Sequence, residues 1–155
     1  MKKFLAGACL LLVLGVSVPA YGGLGENDGQ MTARYGASQA EEKNTPDGLV
    51  TKCYAHDGFW IRVRFMDGCS ASEAYIKLNK DALSDGEIAA LLDSNNRGSK
   101  WTSIYKGAEL ERWVLDSNGA VAQYYTKDHI LVITTKELMR YIAEKGRLDE
   151  KRDIK

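Results

Sequence analysis

No GxSxG elbow, HExxH pair, CxxC or phosphate-cradling glycine loop occurs anywhere in the 155 residues. Their absence excludes, as direct readings, the strained serine nucleophile, the helical zinc site, the dithiol redox pair and the P-loop. Charge of one sign is missing too. The 21 Lys and Arg balance 21 Asp and Glu, whereas a nucleic-acid-binding domain needs a basic excess gathered on one face. No uncharged apolar run reaches the roughly 20 residues that cross a bilayer. Histidine occurs only at 56 and 129, and cysteine only at 9, 53 and 69, which leaves few groups for nucleophilic or metal chemistry. The acid pairs Glu41-Glu42 and Asp149-Glu150 fall in predicted loop and tail, too mobile to hold a substrate between fixed carboxylates.

What is present starts with a leader. Residues 1–20 carry Lys2 and Lys3, then an apolar run from Phe4 to Val18, then Val18-Pro19-Ala20. Small residues at the two positions that a signal peptidase reads predict a secretory signal peptide cleaved after Ala20 and a secreted or periplasmic protein with no membrane span thereafter. Cleavage takes away two of the 21 basic residues and no acid, so the exported chain has a net charge of about −2. Lipidation at Cys9 is not expected, because most of the apolar run follows that residue instead of preceding it. The remaining length suffices for one domain that folds without a disulfide.

Residues 21–29 are Gly-rich and polar and predict a flexible entry; 30–146 read as a single α+β domain; 147–155 read as a fraying charged tail. Within the domain, Gln30 to Gly36 predicts a short helix. Period-two runs at Leu49–Ala55, Phe59–Met66 and Cys69–Leu78 predict a three-stranded antiparallel meander. Ser84-Asp85-Gly86-Glu87 is a capping box that opens a helix with Ile88, Leu91 and Leu92 on its apolar stripe. A second three-stranded meander is expected at 110–115, 120–125 and 130–134, and a last helix from Thr134-Thr135-Lys136-Glu137 to Gly146. The fold expected is thus an antiparallel sheet built from two three-stranded meanders, each preceded by a helix, plus a C-terminal helix. Two α-βββ halves, at 30–79 and 84–135, are an architectural suggestion without sequence identity.

The first hairpin is expected to have a three-residue loop, because a two-residue loop would turn Lys52 onto the apolar face. That register sets Cys53 opposite Ile61. The second hairpin sets Met66 opposite Cys69 and Arg62 opposite Glu73. Cys53 and Cys69 then lie on opposite faces, five strand steps or roughly 16 Å apart, too far for the 7 Å that a disulfide spans. Cys53 reads as a small core hydrophobe. A Cys53-His56-Asp57 nucleophile needs an approach that the tight turn denies it. His56-Asp57 with Asp128-His129 has the donor types of a zinc site but no fixed distance, so no metal or cofactor is assigned. The remaining candidate is a binding surface of hot-spot residue types: Trp60, Arg62 and Arg64, with Tyr75 across the hairpin and the Tyr124-Tyr125 pair.

The order Ala33-Arg34-Tyr35-Gly36, then Val63-Arg64-Phe65-Met66-Asp67-Gly68, then Leu83 to Asn95 followed by Gly98-Ser99-Lys100-Trp101 resembles a group of small signal-peptide-bearing bacterial proteins with the pattern RYG … FxDG … LSxxEIxxLLxxN … W. The resemblance spans most of 30–135 and transfers no activity. More distantly, a short helix ending in Gly before a meander is similar to the fold of small outer-membrane-assembly lipoproteins and of β-lactamase inhibitor proteins. The expectation is a non-enzymatic binding or accessory module for a protein or envelope component. A small secreted hydrolase or metal-binding protein using Cys53 or the His56 and His129 turns is the alternative. The sequence names no oligomeric state.

Overall fold

The computed structural model describes residues 23–43 and 45–152. The signal-peptide expectation for residues 1–20 lies outside them. Three helices, α1 (Asp28–Tyr35), α2 (Asp85–Ser94) and α3 (Lys136–Arg152), accompany eight strands. The strands are β1 (Ala40–Glu42), β2 (Val50–His56), β3 (Phe59–Met66), β4 (Cys69–Lys77), β5 (Trp101–Lys106), β6 (Leu110–Leu115), β7 (Val121–Tyr125) and β8 (Ile130–Thr134). They form one antiparallel sheet in the order β1-β2-β3-β4-β8-β7-β6-β5. The domain is α+β, as its patterning predicts. The six expected strands are joined by two that the sequence reading left in loops, β1 and β5, one at each edge of the sheet. An edge strand has a single neighbour and hides little of itself, so neither shows an alternating burial pattern.

Capping decides where the first two helices begin. Asn27 accepts from Gln30 N at 3.0 Å while Gln30 returns a bond to Asn27 N, and Ser84 and Glu87 make the same reciprocal pair at α2. Met31 and Tyr35 of α1, with Ile88, Leu91 and Leu92 of α2, pack on one face of the sheet. That face presents a continuous buried row, Tyr54, Ile61, Tyr75, Leu131 and Tyr124, in register across five strands. The third helix serves the other face, where Leu138 packs with Leu49 and Ala71. It runs past Gly146 to Arg152 rather than stopping there.

Two features of the sheet overturn the expected register. The first hairpin is a two-residue loop, with Asp57 at φ 46° and Gly58 at φ 83° and His56 opposite Phe59. Two left-handed central residues match the twist of the strands they join. Lys52 therefore does point to the helix-covered face, opposite Val63. It is tolerated because its ammonium reaches the Asp28 carboxylate at the start of α1, 2.8 Å away, while its stem lies along the sheet. In the second hairpin, a bulge at Ala71 shifts the pairing between Arg64 and Phe65. Beyond it Arg62 faces Ala74 and Val63 faces Glu73, so Glu73 is no cross-strand partner of Arg62. The entry also differs from the flexible one expected: Gly23 and Leu24 are buried, and Gly25 N donates to Ser70 O at 2.7 Å.

The tight turn yields a first prediction. Asp57→Asn, which tolerates a left-handed backbone, should leave the urea midpoint unchanged, whereas Gly58→Ala should lower stability by about 1–2 kcal/mol. Equal midpoints for all three proteins would refute the two-residue turn.

Candidate functional site

The corrected registers sort the candidate residues by face. The face away from α1 and α2 carries three cross-strand rows. One runs Ala40, Cys53, Arg62, Ala74, Val132, Gln123, Arg112 and Tyr105 through all eight strands. A second includes Glu42, Thr51, Arg64, Ser72 and Thr134. In the third, Trp60 stands between Ala55 and Ile76, and Tyr125 between Ile130 and Leu110. Trp60, Arg62, Arg64 and Tyr125 thus share one face. Trp60 is half-buried, the Arg62 side chain is 52% exposed, and Tyr125 is 37% exposed.

Tyr75 and Tyr124 do not belong to that surface. Both are core residues, Tyr75 fully buried and Tyr124 accepting from Leu83 N at 3.1 Å. Adjacent strand residues point to opposite faces, so of the Tyr124-Tyr125 pair only one can face outward. The bulge at Ala71 carries Tyr75 inward together with Glu73.

The cysteines and histidines are separated by the same geometry. Cys53 and Cys69 are both free thiols. They lie on one face, not on opposite faces as expected, at the levels of Arg62 and Met66, which is four strand steps or roughly 13 Å along the sheet. Burial pushes the Cys53 thiol pKa up, with Arg62 opposing, which disfavours the thiolate. His56 points to the other face, where its ring meets Tyr35 edge-on at 5.5 Å, so it does not approach Cys53 as a base. Asp57 lies 3.4 Å from His56 Nε2. His129 sits in the β7–β8 turn at the same end of the sheet, its Nδ1 2.9 Å from Lys80 O. Two strands, β3 and β4, intervene between β2 and β8, a span of roughly 14 Å. Among the described residues no group of three His, Cys, Asp or Glu is placed to hold a metal ion.

A polar cluster inside the core escaped the sequence reading. The Glu73 carboxyl is fully buried and accepts from Gly23 N at 3.1 Å, from Tyr35 Oη at 3.2 Å and from Tyr75 Oη in a short bond. Asn95, at the end of α2, donates to Tyr75 Oη at 3.3 Å and accepts from Leu24 N at 3.2 Å. Arg34 pairs with Glu26 beside this cluster, and Trp101 Nε1 donates to Leu92 O at 2.7 Å. Arg34, Tyr35, Asn95 and Trp101 all fall in the stretches that carry the resemblance drawn from the sequence. Their role here is to hold the N-terminal segment, α1 and α2 on the sheet.

No family model matches the chain, and no curated protein sequence matches it. Among solved structures it is similar to an extracellular protein containing a SCP domain from Bacillus anthracis str. Ames, at 11% identity and a TM-score of 0.44. The match covers 91% of this chain and 51% of that one, so the chain spans about half the length of its neighbour. A likeness at that level carries no argument. No helix among the described residues is long and apolar enough to cross a membrane.

Burial pushes the Glu73 carboxyl above its ordinary range, against the lowering effect of its three hydrogen bonds, and Glu26 adds to the rise. A carboxyl raised in the folded state contributes stability that is complete below its unfolded value, near pH 4.3, and is lost as pH climbs through the folded value. We therefore expect the unfolding free energy of the wild type, minus that of Glu73→Gln, to fall as pH is raised from 4 to 8 in urea titrations. A difference that rises with pH would show that Glu73 is instead held as a stabilised carboxylate.

Proposed function

We propose that this is a secreted or periplasmic, non-enzymatic binding or accessory protein, and that it binds a protein or envelope component through the sheet face bearing Trp60, Arg62, Arg64 and Tyr125. The observation that carries the reading is the unequal covering of the two faces. Both α1 and α2 pack on the face of Tyr54 and Tyr75, while the core contacts of α3 on the other face centre on Leu49, Met66 and Ala71. The row of Trp60 and Tyr125 lies at the far end of the strands from those contacts. Aromatic and Arg side chains are the residue types that dominate binding hot spots. A leader in residues 1–20 supports export. The order of elements supports reading the chain as two units that share one sheet, each a helix followed by a meander.

Trp60→Ala and Tyr125→Ala, made on the full chain, should each move the melting temperature by no more than a few degrees. Each should abolish capture of the partner from an envelope extract. A loss of about 3–5 kcal/mol on Trp60→Ala, typical of a buried aromatic, would make Trp60 a core residue and overturn the reading.

A further inference from the structure

On the same face, strands β1 to β3 form the floor of an open cleft of about 680 Å³, walled by the loop that runs from Thr45 to Asp47. Its charges balance: Glu41, Glu42 and Asp47 against Lys43, Arg62 and Arg64. The two arginines are held very differently. Asp47 is committed on every side. Its Oδ1 accepts from Thr45 Oγ1 at 2.7 Å and from Leu49 N at 3.1 Å, its Oδ2 pairs with Arg64, and its carbonyl accepts from Tyr141 Oη at 2.8 Å. Arg64 is thereby built into the wall. Among the described residues the Arg62 guanidinium has one hydrogen bond, to Glu42 at 3.2 Å, and both side chains are more than half exposed. Such a pair is weak and exchanges readily with solvent. A guanidinium offers five N–H donors, of which one acceptor uses one or two.

Thr51 stands between Glu42 on β1 and Arg64 on β3, lines the cleft and is fully buried. Its Oγ1 has no hydrogen-bond partner among the described residues. Buried hydroxyls are almost always partnered, so an orphan on a cleft floor marks a place where something else bonds.

We propose that this cleft binds a carboxylate group, which displaces Glu42 from Arg62 and takes the Thr51 hydroxyl as a second donor. The inference rests on the reading of this face as a binding surface and names the chemistry that its Arg62 end recognises. A planar carboxylate matches the fork of the guanidinium and can take both of its parallel N–H groups, where Glu42 takes only one. As a monoanion exchanged for the Glu42 contact, it adds one charge to a balanced cleft. A phosphate dianion would add two, close to Asp47 and Glu41.

The test is an NMR titration of the full chain at low ionic strength with N-acetyl-alanyl-alanine, with its C-terminal amide, and with inorganic phosphate. The free acid should produce saturable shifts at Arg62 Nε–H and the Thr51 amide; the amide should produce none, and phosphate should bind more weakly. Glu42→Gln removes the internal competitor and should tighten binding of the acid, by roughly two- to fivefold given how weak such pairs are. Arg62→Ala should abolish binding and Thr51→Val should weaken it severalfold, both with the core amide spectrum retained. If Arg62→Ala failed to fold, the opposite signs expected of Glu42→Gln and Thr51→Val would still decide the matter. Equal responses to acid and amide, a preference for phosphate, or no tightening in Glu42→Gln would each overturn the proposal. Trp60 and Tyr125 do not line the cleft, so failure of this titration with capture still lost in Trp60→Ala sinks the carboxylate site alone. The converse result sinks the broader reading.

Discussion

A carboxyl buried among phenols and a backbone amide, with no cation bonded to it among the described residues, is the constraint on which the rest of this structure depends. Left unpartnered, the Glu73 side chain would cost several kcal/mol. It is accommodated because three segments each bring a donor: the N-terminal strap through Gly23, α1 through Tyr35 and β4 through Tyr75. Asn95 then closes the circuit from α2, bonding both Tyr75 and Leu24. Apolar packing is non-directional and would accept many placements of two short helices on a sheet. A cluster that must be satisfied at every atom accepts few. Tyr35 and Asn95 belong to this circuit, and Arg34 and Trp101 brace its surroundings through Glu26 and Leu92.

Much of the fold is legible in the residues. Period-two alternation marks six of the eight strands, and the Ser84-Glu87 capping box marks α2 to within a residue. What is not legible is parity, because it depends on partners distant in sequence. The expectation that Lys52 avoids the apolar face is sound for an isolated hairpin and fails here because Asp28, on a helix that precedes the sheet, receives the ammonium. The bulge at Ala71 leaves no trace in the alternation of β4, yet it reverses the facing of every later residue relative to β3. With it go Glu73 and Tyr75, which a bulge-free register assigns to the open surface.

The same two shifts explain why the binding surface is partly legible and the core cluster not at all. Trp60, Arg62 and Arg64 lie in β3, whose own alternation of Phe59, Ile61, Val63 and Phe65 fixes their side without reference to any neighbour. Tyr75 and Tyr124 lie in strands where the facing depends on a register. A buried glutamate contradicts composition-based expectation outright. Only the closeness of Glu73 to Tyr75, two residues apart on one strand face, hints at it.

The bulge also links the two faces. It opens a small-residue site at Ala71 on which Leu138 seats α3, and α3 in turn brings Tyr141 to the carbonyl of Asp47. Asp47 holds its loop through its own turn and clamps Arg64. A single inserted residue in β4 thus does two things at once. It sends Glu73 inward to organise the helices on one face, and it positions the helix that fixes the wall of the cleft on the other. Arg62, two residues from Arg64 and outside the reach of that clamp, bonds only Glu42 among the described residues. The asymmetry between the two arginines is therefore a consequence of how the sheet is built rather than of their local sequence.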